Sequence, residues 1–263
     1  CTFCGMYKDR QYRIRSLAEI KTDIQMAKSH YGDLEKVFLC DGDAVALDTE
    51  TLLEILATLY ATFPSLRHVG TYVGPQSTLA KEMSELSALR AAGLTKAYLG
   101  VESGDDRVLE EIRKGVTAAE MLDAGQRLVK AGINLSSMVL LGITEKGERS
   151  RAHAIATAEI TNKMKPQYLA ALTYTPVPNT PLFQKVRRGD LELLDPFETL
   201  AEMKLMLEHI ALDGLKFVGA HASNYLPISG KLQAQKAEML GTIDSVLAAR
   251  DMAALRPESM RGL

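Results

Sequence analysis

At 263 residues the chain is long enough for one large hydrophobic core or two small ones. With 46% apolar and 24% charged residues, it falls outside the disordered and collagen-like classes. Lys and Arg number 31 against 33 Asp and Glu, and no long run of one sign occurs, which argues against nucleic acid or an anionic membrane as the main partner.

In chain order, Ser16-x-x-Glu19 reads as a capping box that opens a helix. Lys36-Val37-Phe38-Leu39-Cys40 reads as the first strand, with Cys40 as a small buried hydrophobe on it. Asp48 is placed to cap the next helix. Strands are expected at His68 to Tyr72 and Lys96 to Val101, with Gly93 stopping the helix between them. Thr117-x-x-Glu120 is a second capping box, Gly132 a second stop, and Leu135 to Leu141 a fourth strand. Tyr168 to Thr175 and Lys216 to Ala220 complete six strands; Pro196 after Asp195 sits where a first helical turn tolerates it. An amphipathic helix is expected from about Gly230 to Arg250.

The strand starts lie roughly thirty to fifty residues apart, the spacing of βα units, and most are near-continuous apolar runs. An α/β fold with a parallel sheet follows. No linker or low-complexity tract marks a boundary, so a single domain over residues 1–263 is expected, with a C-terminal extension from about residue 182. The least charged stretch, 166–184, carries Pro166, Pro176, Pro178 and Pro181, so no membrane-spanning helix is expected. Three cysteines build no disulfide framework, and a reducing cytoplasm is the simpler location.

Four segments carry possible chemistry. Cys1-Thr2-Phe3-Cys4-Gly5 places two thiols two residues apart in a loop before the first helix. Thiolates so spaced suit an iron–sulfur cluster or zinc, a redox pair, or incidental use; a lipoprotein also starts at such a cysteine. Cys40-Asp41-Gly42-Asp43 follows the first strand, on the edge where α/β folds bind ligands; its carboxylates suit an ammonium group or merely cap a turn. Gly100-Val101-Glu102-Ser103-Gly104 ends the third strand, where Glu102 and Ser103 suit a ribose or amine, or Ser103 caps a helix while Glu102 is solvated. Met138-Val139-Leu140-Leu141-Gly142 ends the fourth strand as core, or as an apolar wall for a flat ring.

Together, in this order, these segments resemble the radical S-adenosylmethionine (radical SAM) enzymes, over Cys1 to about Pro181. Cys1, Phe3 and Cys4 match the second cysteine, aromatic residue and third cysteine of the family's Cys-x3-Cys-x-aromatic-Cys loop, whose thiolates hold a [4Fe–4S] cluster. The first cysteine is expected four residues before Cys1, so the chain is read as a fragment lacking the first strand. Asp41-Gly42-Asp43 falls where the family has a Gly-Gly-Glu-like segment for the methionine amino group. Glu102 and Ser103 match its ribose and methionine contacts, and Leu140 and Gly142 lie in the segment packed near adenine. Tyr174 to Leu182 is similar to the family's Pro-x-Pro-Gly-Thr-Pro turn, with Asn179 in the Gly position, a mild departure because Asn tolerates left-handed backbone. Gly-x-Glu-Ser-Gly and Lys114-Gly115-Val116-Thr117 look most like the coproporphyrinogen-oxidase-like and Elongator-like branch.

The resemblance implies a partial (β/α)6 TIM-like barrel and an enzyme in which the cluster reductively cleaves S-adenosylmethionine to a 5′-deoxyadenosyl radical that abstracts hydrogen from an unknown substrate. Electrons are expected from an external ferredoxin or flavodoxin, since only Cys40 remains beyond the pair, too few for an auxiliary cluster. The alternatives are a non-catalytic zinc or iron–sulfur protein using the Cys-x-x-Cys pair and a barrel enzyme using that pair for redox chemistry. His221 to Tyr225 concentrates polar groups after the sixth strand, with His221 read as structural; His30, His68, His153 and His209 show no ligand spacing.

Overall fold

A computed structural model describes residues 1–6 and 11–262. In chain order the elements are α1 (Leu17–Tyr31), β1 (Lys36–Leu39), α2 (Thr49–Thr62), β2 (His68–Val73), α3 (Pro75–Leu79), α4 (Met83–Ala91), β3 (Leu94–Glu102), α5 (Asp106–Glu111), α6 (Ala118–Lys130), β4 (Asn134–Leu141), α7 (Glu148–Met164), β5 (Tyr168–Thr173), α8 (Pro181–Arg188), α9 (Pro196–His209), β6 (Lys216–Gly219), β7 (Ile228–Lys231) and α10 (Leu232–Ala249). The strands follow sequence order across one sheet, β1-β2-β3-β4-β5-β6-β7. The fold is α/β, with helices alternating with the strands of a mostly parallel sheet. All six expected strands form, within two residues of their expected ends.

The chain divides into two compact units, one of Cys1–Met6, Val101–Leu122 and Ser137–Leu263, the other of Tyr7–Gly100 and Asp123–Ser136. In the second, β1 pairs parallel with β2 and β2 with β3, in registers such as Phe38↔Gly70 and Tyr72↔Tyr98. Its helices start where the side chains dictate: Ser16 and Glu19 form the reciprocal box, and the Asp48 carboxylate accepts from the Thr51 N–H at 2.8 Å. Along α2, Leu52, Ile55, Leu56 and Leu59 recur at helical spacing and all are buried, each stabilising by about 1.5–3 kcal/mol. The strands contribute Val69, Val73, Ala97 and Leu99 to the buried set. Their alternate residues Phe38, Tyr72 and Tyr98 meet edge to face at centroid distances of 5.0, 5.4 and 5.9 Å.

Cys40 is exposed rather than buried. β1 ends at Leu39, and Asp41 and Gly42 both take positive φ, so the chain has already left the pleat at Cys40 and its side chain has no covered face to enter.

In the first unit β5 pairs parallel with β6, and β6 pairs antiparallel with β7, Gly219 facing Ile228. β7 occupies residues the sequence assigned to the last helix, which starts at Leu232 and not near Gly230. Gly230 is held in the strand by its antiparallel pairing opposite Phe217, and a Cβ there would lie 2.3 Å from Gln235 Oε1, the oxygen that accepts from the Lys231 N–H at 2.9 Å. The core here gathers Val108, Leu109, Ile112, Ile143, Tyr174, Leu182 and Leu191. α9 begins at the expected point, with Asp195 and Glu198 as a capping box and Pro196 in the first turn. Among the described residues no helix is long and apolar enough to cross a membrane.

Candidate functional site

Of the residues singled out from the sequence, Cys1, Phe3, Cys4, Glu102, Ser103, Leu140 and Gly142 lie in the first unit, and Asp41, Gly42 and Asp43 in the second.

In the first unit the Cys1–Cys4 loop is fastened by its backbone. The Thr2 N–H donates to the Ile112 carbonyl at 2.8 Å, and the Leu182 N–H donates to the Thr2 carbonyl at 3.0 Å. Gly5 passes so close to Val177 that a Cβ would sit 2.7 Å from its Cγ1, which accounts for glycine there. Phe3 packs on the apolar core, as does Leu140 at the end of β4. The aromatic residue between the two cysteines thus anchors the loop, while Cys1 is exposed and Cys4 half-buried. The turn that holds the loop has the anticipated chemistry. Asn179 takes φ +67°, Thr180 caps α8 by accepting from the Phe183 N–H at 3.2 Å, and Pro181 opens the helix.

At the end of β3, Glu102 adopts φ +62°, unusual for a side-chain-bearing residue, and its carboxylate accepts from Lys114 Nζ at 2.9 Å. Both side chains are largely covered, 13% and 12% exposed, so Glu102 is paired and not freely solvated. Ser103 does not cap α5; Asp105 does, accepting from the Arg107 N–H at 2.8 Å. The Ser103 hydroxyl is fully buried, accepts from the Asp105 N–H at 3.0 Å and shares a 2.7 Å hydrogen bond with His153 Nδ1.

His153, on α7, was not legible as a site residue, and neither was Glu202 on α9. The His153 Nε2–H donates to the Leu140 carbonyl at 2.8 Å. Glu202 Oε1 accepts from the Gly142 N–H at 2.7 Å and stands 3.8 Å from His153 Nε2; its other oxygen accepts from the Ser150 hydroxyl. The Glu202 side chain is fully buried. Gly142 leaves the strand at φ +68°. Beside it a cavity of about 140 Å³ is lined by Gly142, Thr173, Tyr174, Tyr225, Glu258 and Arg261 among others. The buried Tyr174 hydroxyl has no hydrogen-bond partner among the described residues.

The polar group after β6 is engaged in holding backbone. Asn224 Nδ2 donates to the Ala171 and Gly219 carbonyls, and the His221 ring accepts from the Ser223 N–H at 3.1 Å. Burial, and then the Arg256 guanidinium, lower the pKa of His221 and favour the neutral ring that this acceptor role needs.

In the second unit, the loop after β1 turns through Asp41 at φ +69° and Gly42 at φ +97°. One Asp43 oxygen accepts from the Ser77 hydroxyl, and a Cβ on Gly74 would lie 2.5 Å from that oxygen. The other, Oδ1, is buried without a partner among the described residues. An orphaned buried acceptor carries a desolvation cost that a donor such as an ammonium would relieve.

The family model for the radical SAM superfamily matches residues 1–154. The chain belongs to this superfamily. It is 24% identical over 195 residues to an uncharacterised methyltransferase of Pyrococcus horikoshii, covering 73% of this chain and 40% of that protein. It is 26% identical over 202 residues to the anaerobic magnesium-protoporphyrin IX monomethyl ester cyclase of Cereibacter sphaeroides, covering 74% and 31%. The chain therefore spans less than half the length of these relatives. Its fold is similar to that of coproporphyrinogen III oxidase from Escherichia coli, with a TM-score of 0.62 at 15% identity, covering 79% of this chain and 48% of that one.

The superfamily's cofactors are a [4Fe–4S] cluster and S-adenosylmethionine. Their fit here rests on donor chemistry: Cys1 and Cys4 are soft thiol ligands on an anchored loop, two of the three the family's motif uses. Among the described residues no group of three or more His, Cys, Asp or Glu gathers as a metal site. For S-adenosylmethionine, the buried Asp43 oxygen without a partner among the described residues suits an ammonium group.

Proposed function

We propose that the chain is the cofactor-binding part of a radical SAM enzyme, which cleaves S-adenosylmethionine reductively and abstracts hydrogen from a substrate. The observation that carries this reading is the seating of the Cys1–Cys4 loop: Phe3 rests on the apolar core that also receives Leu140, so the thiols and the end of β4 share one rigid support. When bound, the cluster supplies the low-potential electron for sulfonium cleavage, with an external reductant such as ferredoxin or flavodoxin behind it.

The chain's own residues then have separable tasks. Cys1 and Cys4 ligate iron. The side chain of Leu140 and the Cβ-free surface of Gly142 form an apolar wall for a flat ring. Glu102 presents a carboxylate to the ligand's hydroxyl or ammonium groups, with Lys114 fixing its orientation. The Ser103 hydroxyl is fully engaged inside the protein, so its contact with a ligand runs through the backbone. Asp41 and Gly42 offer turned backbone, and Asp43 its free oxygen, to the methionine amino group.

The test is anaerobic reconstitution of the full-length protein, including the segment upstream of Cys1, with iron and sulfide, followed by reduction, addition of S-adenosylmethionine and mass-spectrometric measurement of 5′-deoxyadenosine. Formation of 5′-deoxyadenosine dependent on the reductant is expected. A full, reducible cluster that yields none, with or without candidate substrates, sinks the catalytic reading. In the same preparation Glu102→Ala is expected to weaken S-adenosylmethionine binding by about tenfold or more, as loss of a charge-assisted hydrogen bond does, with iron content near parental. Loss of iron in that variant instead assigns Glu102 a structural role.

A further inference from the structure

Two buried side chains that no sequence motif carries meet the ends of both β3 and β4. The imidazole of His153 bridges them: Nδ1 shares a hydrogen bond with Ser103 Oγ at 2.7 Å and Nε2 meets the Leu140 carbonyl at 2.8 Å. A carbonyl only accepts, so Nε2 must carry a proton. Thr157, one turn further along α7, accepts from the Gly104 N–H at 3.0 Å and so adds a second tie to the β3 end. Glu202 reaches the next peptide of β4 from α9, taking the Gly142 N–H at 2.7 Å and the Ser150 hydroxyl. His153 is 1% exposed and Glu202 3%, so neither touches solvent.

The direction of these bonds matters. They draw the Leu140 carbonyl and the Gly142 N–H toward α7 and α9, while the Leu140 side chain packs on the core that also receives Phe3. Gly142 is thereby fixed at positive φ just where the chain leaves the strand. Buried polar groups of this kind have few alternative arrangements, because each broken bond strands a donor or acceptor away from water.

We propose that His153 and Glu202 are positioning residues for S-adenosylmethionine: they clamp the carboxyl ends of β3 and β4 at the spacing and peptide orientation that the ligand requires, without touching it themselves. This rests on the reading that those strand ends hold S-adenosylmethionine.

The experiment uses the reconstituted protein and reads S-adenosylmethionine affinity by titration calorimetry. The change in the electron paramagnetic resonance signal of the reduced cluster on adding S-adenosylmethionine is the second readout, and iron content and unfolding midpoint are the controls. Glu202→Leu removes both acceptors and is expected to weaken binding by about tenfold or more. Glu202→Gln keeps an oxygen for the Gly142 N–H and is expected to recover to within about threefold of the parent. Where Glu202→Leu does not fold, the pair His153→Gln and His153→Asn decides. A Gln amide nitrogen extends as far as Nε2 and still donates to Leu140, whereas an Asn amide reaches only as far as Nδ1. Gln should bind close to the parental level and Asn about tenfold more weakly. Affinity within twofold of the parent in every folded variant overturns the proposal. No S-adenosylmethionine binding by the parent, with its cluster full, overturns the underlying assignment and this inference together.

Discussion

Cys4→Ala is expected to leave a folded protein with neither the iron–sulfur absorption of the parent nor any reductant-dependent 5′-deoxyadenosine. The specificity of that loss follows from how the loop is held. Its position depends on two backbone hydrogen bonds of Thr2, to Ile112 and Leu182, and on the Phe3 ring in the core, none of which involves the Cys4 side chain. A half-buried thiol contributes little packing, so removing it should cost at most about 1 kcal/mol of stability. The cluster is held by thiolates, and alanine offers no ligand in place of the one removed. Iron and sulfide analysis, the visible spectrum and the thermal unfolding midpoint check the two halves of the expectation. A parent protein that takes up one zinc and no iron, and loses it in Cys4→Ala, would return the loop to a structural metal-site role. A variant that retains its iron would show that Cys4 is not a ligand.

The parts of this fold that were legible in the sequence are those set by local chemistry. β3 and β4 are strands of nine and eight residues whose apolar stretches, Ala97 to Val101 and Met138 to Leu141, lie between helices with start and stop signals, and such signals survive because the same residues both favour the element and bury it. Capping boxes at Ser16 and Thr117 fixed two helix starts by side-chain reach alone, and Pro196 after Asp195 marked a third, whose capping box the structure adds. β7 was hidden because four residues with a glycine inside carry too little periodicity, and its partner β6 supplies the reason for it to be a strand. The cysteine loop and the strand-end glycines could be read from the family pattern, whereas the His153 clamp could not. Ser103 and His153 are 50 residues apart, and Gly142 and Glu202 are 60 apart, so nothing short-range announces either pair. One faint signal exists on α7, where Ser150, His153, Thr157 and Thr161 recur at helical spacing and all are buried. A polar stripe on the covered face of a helix asks for polar partners across from it. Glu202 is the matching anomaly on α9, a carboxylate among the buried Leu200, Met203 and Met206.

The same junction of β3 with α7 makes Gly104→Ala the substitution with the largest expected cost in stability. A Cβ at position 104 would lie 2.2 Å from the Ala156 carbonyl oxygen, 2.5 Å from its carbon and 2.8 Å from Ile160 Cγ2. Two of these atoms belong to helix backbone, which cannot rotate away as a flexible side chain does, so either α7 or the 103–105 segment must shift. Shifting either one lengthens the Gly104 N–H bond to Thr157 and the Ser103 bond to His153, which adds lost hydrogen bonds to the steric strain. Together these should destabilise the protein by about 3 kcal/mol or more, a fall in unfolding midpoint on the order of 10 °C for a chain of this size. Gly189→Ala supplies the comparison. Gly189 has φ +79° with nothing within 4 Å of the added Cβ, so only the backbone conformation is penalised, by about 1 kcal/mol. A thermal melt of both variants therefore separates crowding from conformational strain: Gly104→Ala should fall well below Gly189→Ala. Equal midpoints would mean that α7 yields freely at Ala156, and a helix that yields there could not hold His153 and Thr157 firmly against the end of β3.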